Sequence, residues 1–315
     1  MSHNDASGQT RIMPPFVHSF FAMGSDCTVH LDGAAQAEQI ATAAEAEVNR
    51  IEARYSRYRA DSELTRINRA AAAGESIAVD AETAGLITYA YACFARSEGA
   101  FDITSGLLRA AWDFSLRRIP TQSAIDALLP RIGLDKVNWS EPERRLTFTR
   151  PGMELDFGGL GKEYAADRAA EVCLSLSARY GFVDLGGDIR VIGVQSDGPP
   201  WRIGIRDPRD PDRVTATVEL AGGSLATSGD YERFIDVDGR RYCHILDPRS
   251  GWPAQGLRSV TVISERCLVA GSLSTTAMLK GRAGAAWLKS LGVRHIVVDD
   301  RGECGGSEPL LSFRR

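Results

Sequence analysis

The chain contains no run of 18 apolar residues, so no segment reads as a membrane span. Basic charge is not in excess. The 37 lysines and arginines are outnumbered by 41 acids, and a net charge of −4 gives nucleic acid no electrostatic footprint. Cysteine is sparse: Cys27, Cys93, Cys173, Cys243, Cys267 and Cys304 are scattered without a CxxC pair. That pattern points to free buried thiols, not to a disulfide framework or a zinc site. The five histidines show no HExxH or other paired-ligand spacing. Neither the Walker pattern GxxxxGKS/T nor the dinucleotide pattern GxGxxG occurs. The opening MSHNDASGQTRIMPPF has no charged stretch followed by an apolar core, so no secretory signal is read there. The expectation is a cytoplasmic protein whose residues 1–17 form a flexible leader.

With 43% hydrophobic and 25% charged residues in 315, the chain can bury a large core. No composition shift or fixed-period repeat divides it. Residues 18–315 read as one domain, or as two intimately coupled subdomains. Apolar spacing predicts helices over 34–54, 81–98, 163–178, 268–280 and 282–291, with shorter ones near 62–68, 105–112 and 121–130. Strands are expected over 18–31 with a break at Gly24, near 136–139 and 145–149, and over 181–193 around a glycine turn. Further strands are expected over 201–208, 214–220, 259–264, RHIVVDD and 308–313. Asp238-Gly239 marks a hairpin turn between two more strands. Hairpins dominate the second half, which implies an α+β fold with a largely antiparallel sheet and flanking helices.

The stretch Glu154–Asp167, ELDFGGLGKEYAAD, carries the strongest local chemistry. A short apolar run breaks at Gly158-Gly159, then Gly161 and Lys162 precede a helix starting at about Glu163. Glycines admit close approach of a ligand, free helix N–H groups attract anions, and a lysine adds a point charge. On its own the stretch is either an anion cradle or an ordinary turn with a solvated lysine. Other polar turns fall at strand ends: Met23-Gly24-Ser25, Gly186-Gly187-Asp188, Thr227-Ser228-Gly229 and His244 to Asp247-Pro248. Each taken singly is also explained as a structural turn.

Their order resembles that of the ApbE-like flavin transferases, the FAD:protein FMN transferases. The matching blocks are AMGSDCTVHL, RYSRYRADSELTRIN, GAFDITSGLL with Trp112 nearby, ELDFGGLGKEYAAD, GFVDLGGDIRVIG, LATSGDYERF and HILDPRSG, spread from about Phe21 to about Gly281. The resemblance implies an ApbE-like, T-fold-like architecture. It also implies a reaction: FAD is cleaved at its pyrophosphate, FMN is attached through its phosphate to a threonine or serine of an acceptor protein, and AMP leaves with the assistance of Mg²⁺.

By the same resemblance Met23 lies against the flavin and Tyr58 packs near the flavin or its ribityl chain. Phe101 and Asp102 line the nucleotide cleft. Lys162 meets the pyrophosphate, and Asp167 reaches a ribose or adenine group. Gly186, Gly187 and Asp188 wall the adenosine side, while Thr227 and Ser228 border the reacting phosphate. His244 is the base or a transition-state hydrogen-bonding group, with Asp247 as its neighbour. The Gly161 carbonyl and Thr275 are metal ligands.

Two positions depart from the family pattern. Where the family has an aspartate four residues before Thr275, this chain has Gly271, and where it often has glycine, the chain has Glu163. Hard cations prefer charged oxygens, so the first departure implies a weakened Mg²⁺ site. Three arrangements are open: FAD phosphates, Thr275, the Gly161 carbonyl and water hold the metal, or an acid such as Asp156 substitutes, or the protein binds FAD without transferring it. The last is the alternative function, an FAD carrier or pyrophosphate hydrolase. On this reading Gly271→Asp raises Mg²⁺ affinity and rate. Glu163 reads as a tolerated acid in the first turn of a helix.

Overall fold

The computed structural model describes residues 15–308. Residues 1–14 of the expected leader and 309–313 of the expected tail strand lie outside that range, and Phe16 and Val17, expected in the leader, belong to the first strand. The chain opens with a hairpin, β1 (Phe16–Ala22) and β2 (Ser25–Leu31), joined by Met23 and Gly24 alone. Both turn residues have positive φ, 53° and 74°, as a two-residue turn matched to strand twist requires. The strand read as interrupted at Gly24 is therefore two strands. Helix α1 (Ala37–Tyr55) follows, burying Ile40, Ala44, Val48 and Ile51 at helical spacing. Helix α2 (Glu63–Ala73) is capped by Ser62, which accepts from the Thr65 N–H at 3.0 Å. Strand β3 (Ser76–Ala78) and helix α3 (Ala81–Ser97) come next. The helix expected near 105–112 is a 3₁₀ helix over Ile103–Ala110, and the one expected over 121–130 is reduced to α4 (Gln122–Asp126) and a single 3₁₀ turn.

Strands β4 (Val137–Ser140) and β5 (Arg145–Phe148) pair with β3 in a small sheet and lead to helix α5 (Gly161–Ser175). Then come β6 (Gly181–Leu185) and β7 (Asp188–Gly193), the hairpin of β8 (Trp201–Asp207) and β9 (Asp210–Leu220), and β10 (Gly223–Gly229). A second hairpin, β11 (Phe234–Val237) and β12 (Arg240–Cys243), turns at Asp238-Gly239 as the sequence signals. The chain continues through β13 (Leu257–Ser264), α6 (Cys267–Leu279), α7 (Gly284–Ser290), β14 (Arg294–Asp299) and β15 (Cys304–Gly306).

Eight strands form one antiparallel sheet in the order β1-β2-β6-β7-β10-β13-β14-β15. Its two faces are covered differently. Helices α1, α5 and α6 lie on one face, where Val183 and Leu185 of β6 and Val260 and Val262 of β13 join the main core. The β8–β9 hairpin covers the other, packing Val218 and Leu220 against Ile189, Val191 and Leu225. This alternation of sides along β6 and β7 is the period-2 signature of a sheet buried on both faces. A third cluster around Leu108, Trp112 and Ile235 anchors the loops between α3 and β4 to the β11–β12 hairpin.

Register positions the site. Cys27 pairs with Leu185 and Leu225 with Ile189, which carries Ser25, Gly187 and Thr227 into one row across β2, the β6–β7 turn and β10. Helix α5 begins over the same end of the sheet, and α6 runs alongside α5 and above β10.

Candidate active site

The glycine turn ends in the first residues of α5. The first N–H of the helix, that of Gly161, donates to the Phe157 carbonyl at 2.7 Å, and because Leu160, the N-cap, offers no side-chain acceptor, the cap leaves the N–H groups that follow it for other partners. A side chain at Gly161 or at Gly187 would meet nothing within 4 Å, so both turns border open space. Between them Lys162 Nζ pairs with Asp188 Oδ2 at 2.8 Å. Burial opposes the charge on Lys162, but Asp188 and Glu163 outweigh it and hold the ammonium pKa above its ordinary value. Burial pushes the Asp188 carboxyl up and Lys162 restrains that shift. Gly186 adopts φ 62°, and a Cβ there would lie 2.7 Å from Ser25 Oγ and 3.6 Å from Lys162 Nζ. Only glycine allows the β6–β7 turn, the β1–β2 turn and the lysine to meet this closely.

The β1–β2 turn is fixed from behind, where the Met23 N–H donates to Glu52 Oε1 of α1 at 2.9 Å. On its other side the Arg233 guanidinium lies 3.4 Å from the position of a Cβ on Gly24. Arg233 also positions His244, because its carbonyl accepts from the His244 N–H at 3.0 Å and lies 3.3 Å from Nδ1. With Nδ1–H donating there, Nε2 is free to accept a proton. The ring is solvent-exposed although protein surrounds it densely, as on the floor of an open cleft. That protein mass, with the positive charges of Arg233 and Lys162, lowers its pKa, so it is the neutral imidazole at pH 7. Across the cleft Ser228 Oγ lies 2.8 Å from Ser274 Oγ and 2.9 Å from Thr275 Oγ1, joining β10 to α6, while Thr227 Oγ1 meets Thr261 Oγ1 at 2.8 Å.

Met23, Gly161, Lys162, Gly186, Gly187, Asp188, Thr227, Ser228, His244 and Thr275 thus border one end of the sheet. Phe101 lies directly beneath the glycine turn, 3.4 Å from where a Cβ on Gly159 would be. Tyr58 is an exposed rim residue, its hydroxyl 3.0 Å from Arg57, which ion-pairs with Asp156 next to the turn.

Asp102 and Asp167, expected at the nucleotide, and Asp247, expected as the neighbour of His244, make their hydrogen bonds within the protein. Asp102 is 7% exposed and accepts from the Thr104 N–H, the Thr104 hydroxyl and the Leu134 N–H. Asp167 is 4% exposed and accepts from the Cys267 and Leu268 N–H groups at 2.9 and 3.1 Å, capping α6, whose own N-cap Arg266 cannot. Asp247 holds Arg249 and its backbone in the turn that Trp112 staples through the Gly251 carbonyl at 2.8 Å, and it makes no bond to His244. Asp156 is likewise held by Arg57 and the Gly158 N–H.

The acid nearest Gly271 is Glu163. A Cβ on residue 271 would lie 2.4 Å from Glu163 Cγ and Oε1, so the side chain read as a tolerated acid in the first turn is packed against α6 and only 7% exposed. Burial, reinforced by Asp188, raises its pKa to about 8, and Oε2 has no hydrogen-bond partner among the described residues. The sequence displays both departures, Glu163 and Gly271. Their contact joins residues 108 positions apart and is visible only in the fold. Ser25, Ser274 and Arg233 were missed because neighbouring elements, not local motifs, bring them to the cleft.

An open groove of about 640 Å³ lined by Phe94, Asp102, Ile132, Lys136, Pro248 and Arg249 contains none of the cleft residues Lys162, Ser228, His244 or Thr275. Among the described residues no helix is long and apolar enough to cross a membrane, and all six cysteines are free, four of them buried.

Residues 23–297 match the model of the ApbE family. The FAD:protein FMN transferase of Haemophilus influenzae is 31% identical over 270 residues, covering 82% of this chain and 78% of that protein, and the one from Vibrio cholerae is 31% identical over 255 residues, 79% and 75%. Among solved structures, the ApbE protein of Thermotoga maritima superposes with a TM-score of 0.86 at 35% identity over 94% of this chain and 97% of that one. The flavin transferase ApbE of Vibrio cholerae gives 0.83 at 28% identity, with the same coverage. The chain belongs to the ApbE family.

Proposed function

We propose that this chain is an FAD:protein FMN transferase that moves FMN from FAD to a threonine or serine hydroxyl of an acceptor protein. The observation that carries the reading is the meeting, at one end of the sheet, of an uncapped helix N-terminus with Lys162, two glycine turns facing open space, and a neutral His244. Curated relatives that share most of the chain are named for this reaction.

In this reading the N–H groups opening α5 and the ammonium of Lys162 bind the pyrophosphate of FAD, where negative charge grows as the bond breaks. Asp188 keeps Lys162 charged and fixed at 2.8 Å. The thioether of Met23 borders the flavin, and Gly186 and Gly187 let the adenosine half approach backbone. The hydroxyls of Thr227 and Ser228 orient the reacting phosphate. His244 Nε2 takes the proton of the acceptor hydroxyl as its oxygen bonds to the FMN phosphorus. The bond from that phosphorus to the bridging oxygen breaks, and AMP leaves with that oxygen. A bound Mg²⁺ would neutralise charge developing on the phosphates. The donors present fit such an ion: the Thr275 hydroxyl lies 2.9 Å from that of Ser228, and the buried Glu163 carboxyl has an oxygen unpartnered among the described residues.

The alternative of a flavin-binding protein without transfer rested on the missing carboxylate at Gly271, and the packing of the Glu163 side chain against Gly271 supports transfer over that alternative. Incubation of the protein with FAD, Mg²⁺ and a threonine-bearing acceptor decides between them. Mass spectrometry is expected to find one FMN added to the acceptor with stoichiometric AMP. AMP without labelling would mean hydrolysis, and neither product would sink the enzymatic reading.

A further inference from the structure

Two residues that look unrelated in the sequence occupy one volume. Helix α5 carries Glu163 in its first turn, and α6 packs beside it with Gly271 at the contact. The ideal Cβ position at 271 is 2.4 Å from Glu163 Oε1 and 2.7 Å from Cδ. The carboxyl of Glu163 therefore lies where a side chain at 271 would project. Residues 271 and 275 are one helical turn apart and share a face of α6. The carboxyl arriving from α5 thus comes to the face that carries the Thr275 hydroxyl. Ser228 Oγ completes the group, 2.9 Å from Thr275 Oγ1.

This carboxyl is not explained by the protein around it. It is 7% exposed and its Oε2 lacks a partner among the described residues. The nearby ammonium of Lys162 forms its ion pair with Asp188. A buried carboxyl oxygen left unpaired is costly, and native interiors rarely keep one without a use. Among the described residues no group of three or more His, Cys, Asp or Glu side chains could enclose a metal. One carboxylate with hydroxyl oxygens, water and the phosphates of a ligand is the pattern typical of Mg²⁺.

We propose that Glu163 supplies the carboxylate of a divalent-cation site shared with Thr275, and that Gly271 is small because Glu163 fills its place. The pair is a relocation of the acid from α6 to α5. Gly271→Asp alone does not repair a defect, because its side chain would compete with Glu163 for the same volume. The inference rests on the flavin-transferase reading for the phosphate that completes the site.

The test measures binding of Mn²⁺, a spectroscopic substitute for Mg²⁺, to the full chain saturated with ADP, by electron paramagnetic resonance and calorimetry. AMP release and acceptor labelling from FAD are followed separately. Wild type is expected to bind one Mn²⁺. Glu163→Gln, which keeps the shape and removes the charge, should weaken that binding at least about tenfold, the scale on which even outer-shell partners act. Gly271→Asp alone should bind no more tightly than wild type. Glu163→Gly combined with Gly271→Asp should return the affinity to near wild type, a rescue that a purely structural role for Glu163 does not predict. Unchanged Mn²⁺ affinity in a folded Glu163→Gln protein, or tighter binding by Gly271→Asp alone, overturns the proposal. If that happens while AMP and labelled acceptor still form, the transferase reading survives. If Mn²⁺ binding depends on Glu163 but neither product forms, the site survives and the reading does not.

Discussion

Lys162 and Asp188 show how one residue can serve both fold and ligand. Asp188 is nearly fully buried, and among the described residues Lys162 is the cation paired with it, at 2.8 Å. Replacing Lys162 by Met strands that carboxylate. Breaking a buried pair from one side costs roughly 3–5 kcal/mol, and the loss here should lie at the lower end because the Lys162 side chain keeps 29% exposure. Adding Asp188→Asn to Lys162→Met should recover most of the stability in urea denaturation but none of the FAD affinity. Recovery of both would mean that Lys162 acts only through the fold. His244 gives a prediction of a different kind. Its pKa is lowered by the surrounding protein mass and by the cations Arg233 and Lys162. It is therefore neutral above a pKa that lies below the ordinary imidazole value of 6.5, and it becomes protonated only as the pH falls through that lowered value. The acid limb of kcat/KM for acceptor labelling should accordingly fall below pH 6.5 and vanish in His244→Gln. A limb at or above 6.5 would exclude His244 as the proton acceptor.

At the scale of elements, α6 has no side-chain cap of its own and borrows one from α5, through Asp167 to the N–H groups of Cys267 and Leu268. Asp167→Ala should cost about 1–2 kcal/mol in stability, the usual loss for a cap. FAD affinity should change little. A large loss of FAD binding at nearly unchanged stability would restore the nucleotide contact first expected of this residue. Asp167 also marks the limit of what the sequence discloses. Helices α1, α3, α5 and α6 and the Asp238-Gly239 hairpin were legible because apolar periodicity and turn chemistry are local. The glycine and hydroxyl blocks were legible as a set, in order. Burial was not. Asp102, Asp167 and Asp247 look like Lys162 in sequence, as polar residues at element ends, yet the first two face inward and the third is bound by its own turn. Glu163 is the opposite case, an acid read as merely tolerated in a helix's first turn and found buried, because Gly271 on a different helix makes room for it.

On the scale of the whole molecule, the sheet separates a working end from a structural end. Ser25, Gly187 and Thr227 share a row at the cleft, whereas His30 and Phe182 pair five residues further along β2 and β6. There the His30 ring stacks 5.0 Å from Phe182 and meets the Trp201 ring at 4.9 Å, beneath the β8–β9 hairpin. Its Nε2 has no hydrogen-bond partner among the described residues. Burial lowers its pKa, against a smaller opposing effect of Asp32, so the folded protein favours the neutral ring. A histidine whose folded pKa is depressed contributes stability that is present above the unfolded value near 6.5 and is lost as the pH falls below it, because the unfolded chain takes up the proton first. Several carboxylates raised by burial, Asp102, Asp167 and Asp184 among them, act in the opposite direction, so the total pH dependence of the wild type does not isolate this group. The difference between variants does. His30→Phe keeps an aromatic ring against Trp201 and removes the unpaired nitrogen. Its stability relative to wild type, from urea denaturation at matched pH, should grow as the pH is lowered from 7 to 5, while FAD affinity at the other end of the sheet stays constant. A difference that is flat with pH would show that His30 titrates alike in the folded and unfolded chains. A parallel change in FAD affinity would show that the two ends of the sheet are coupled.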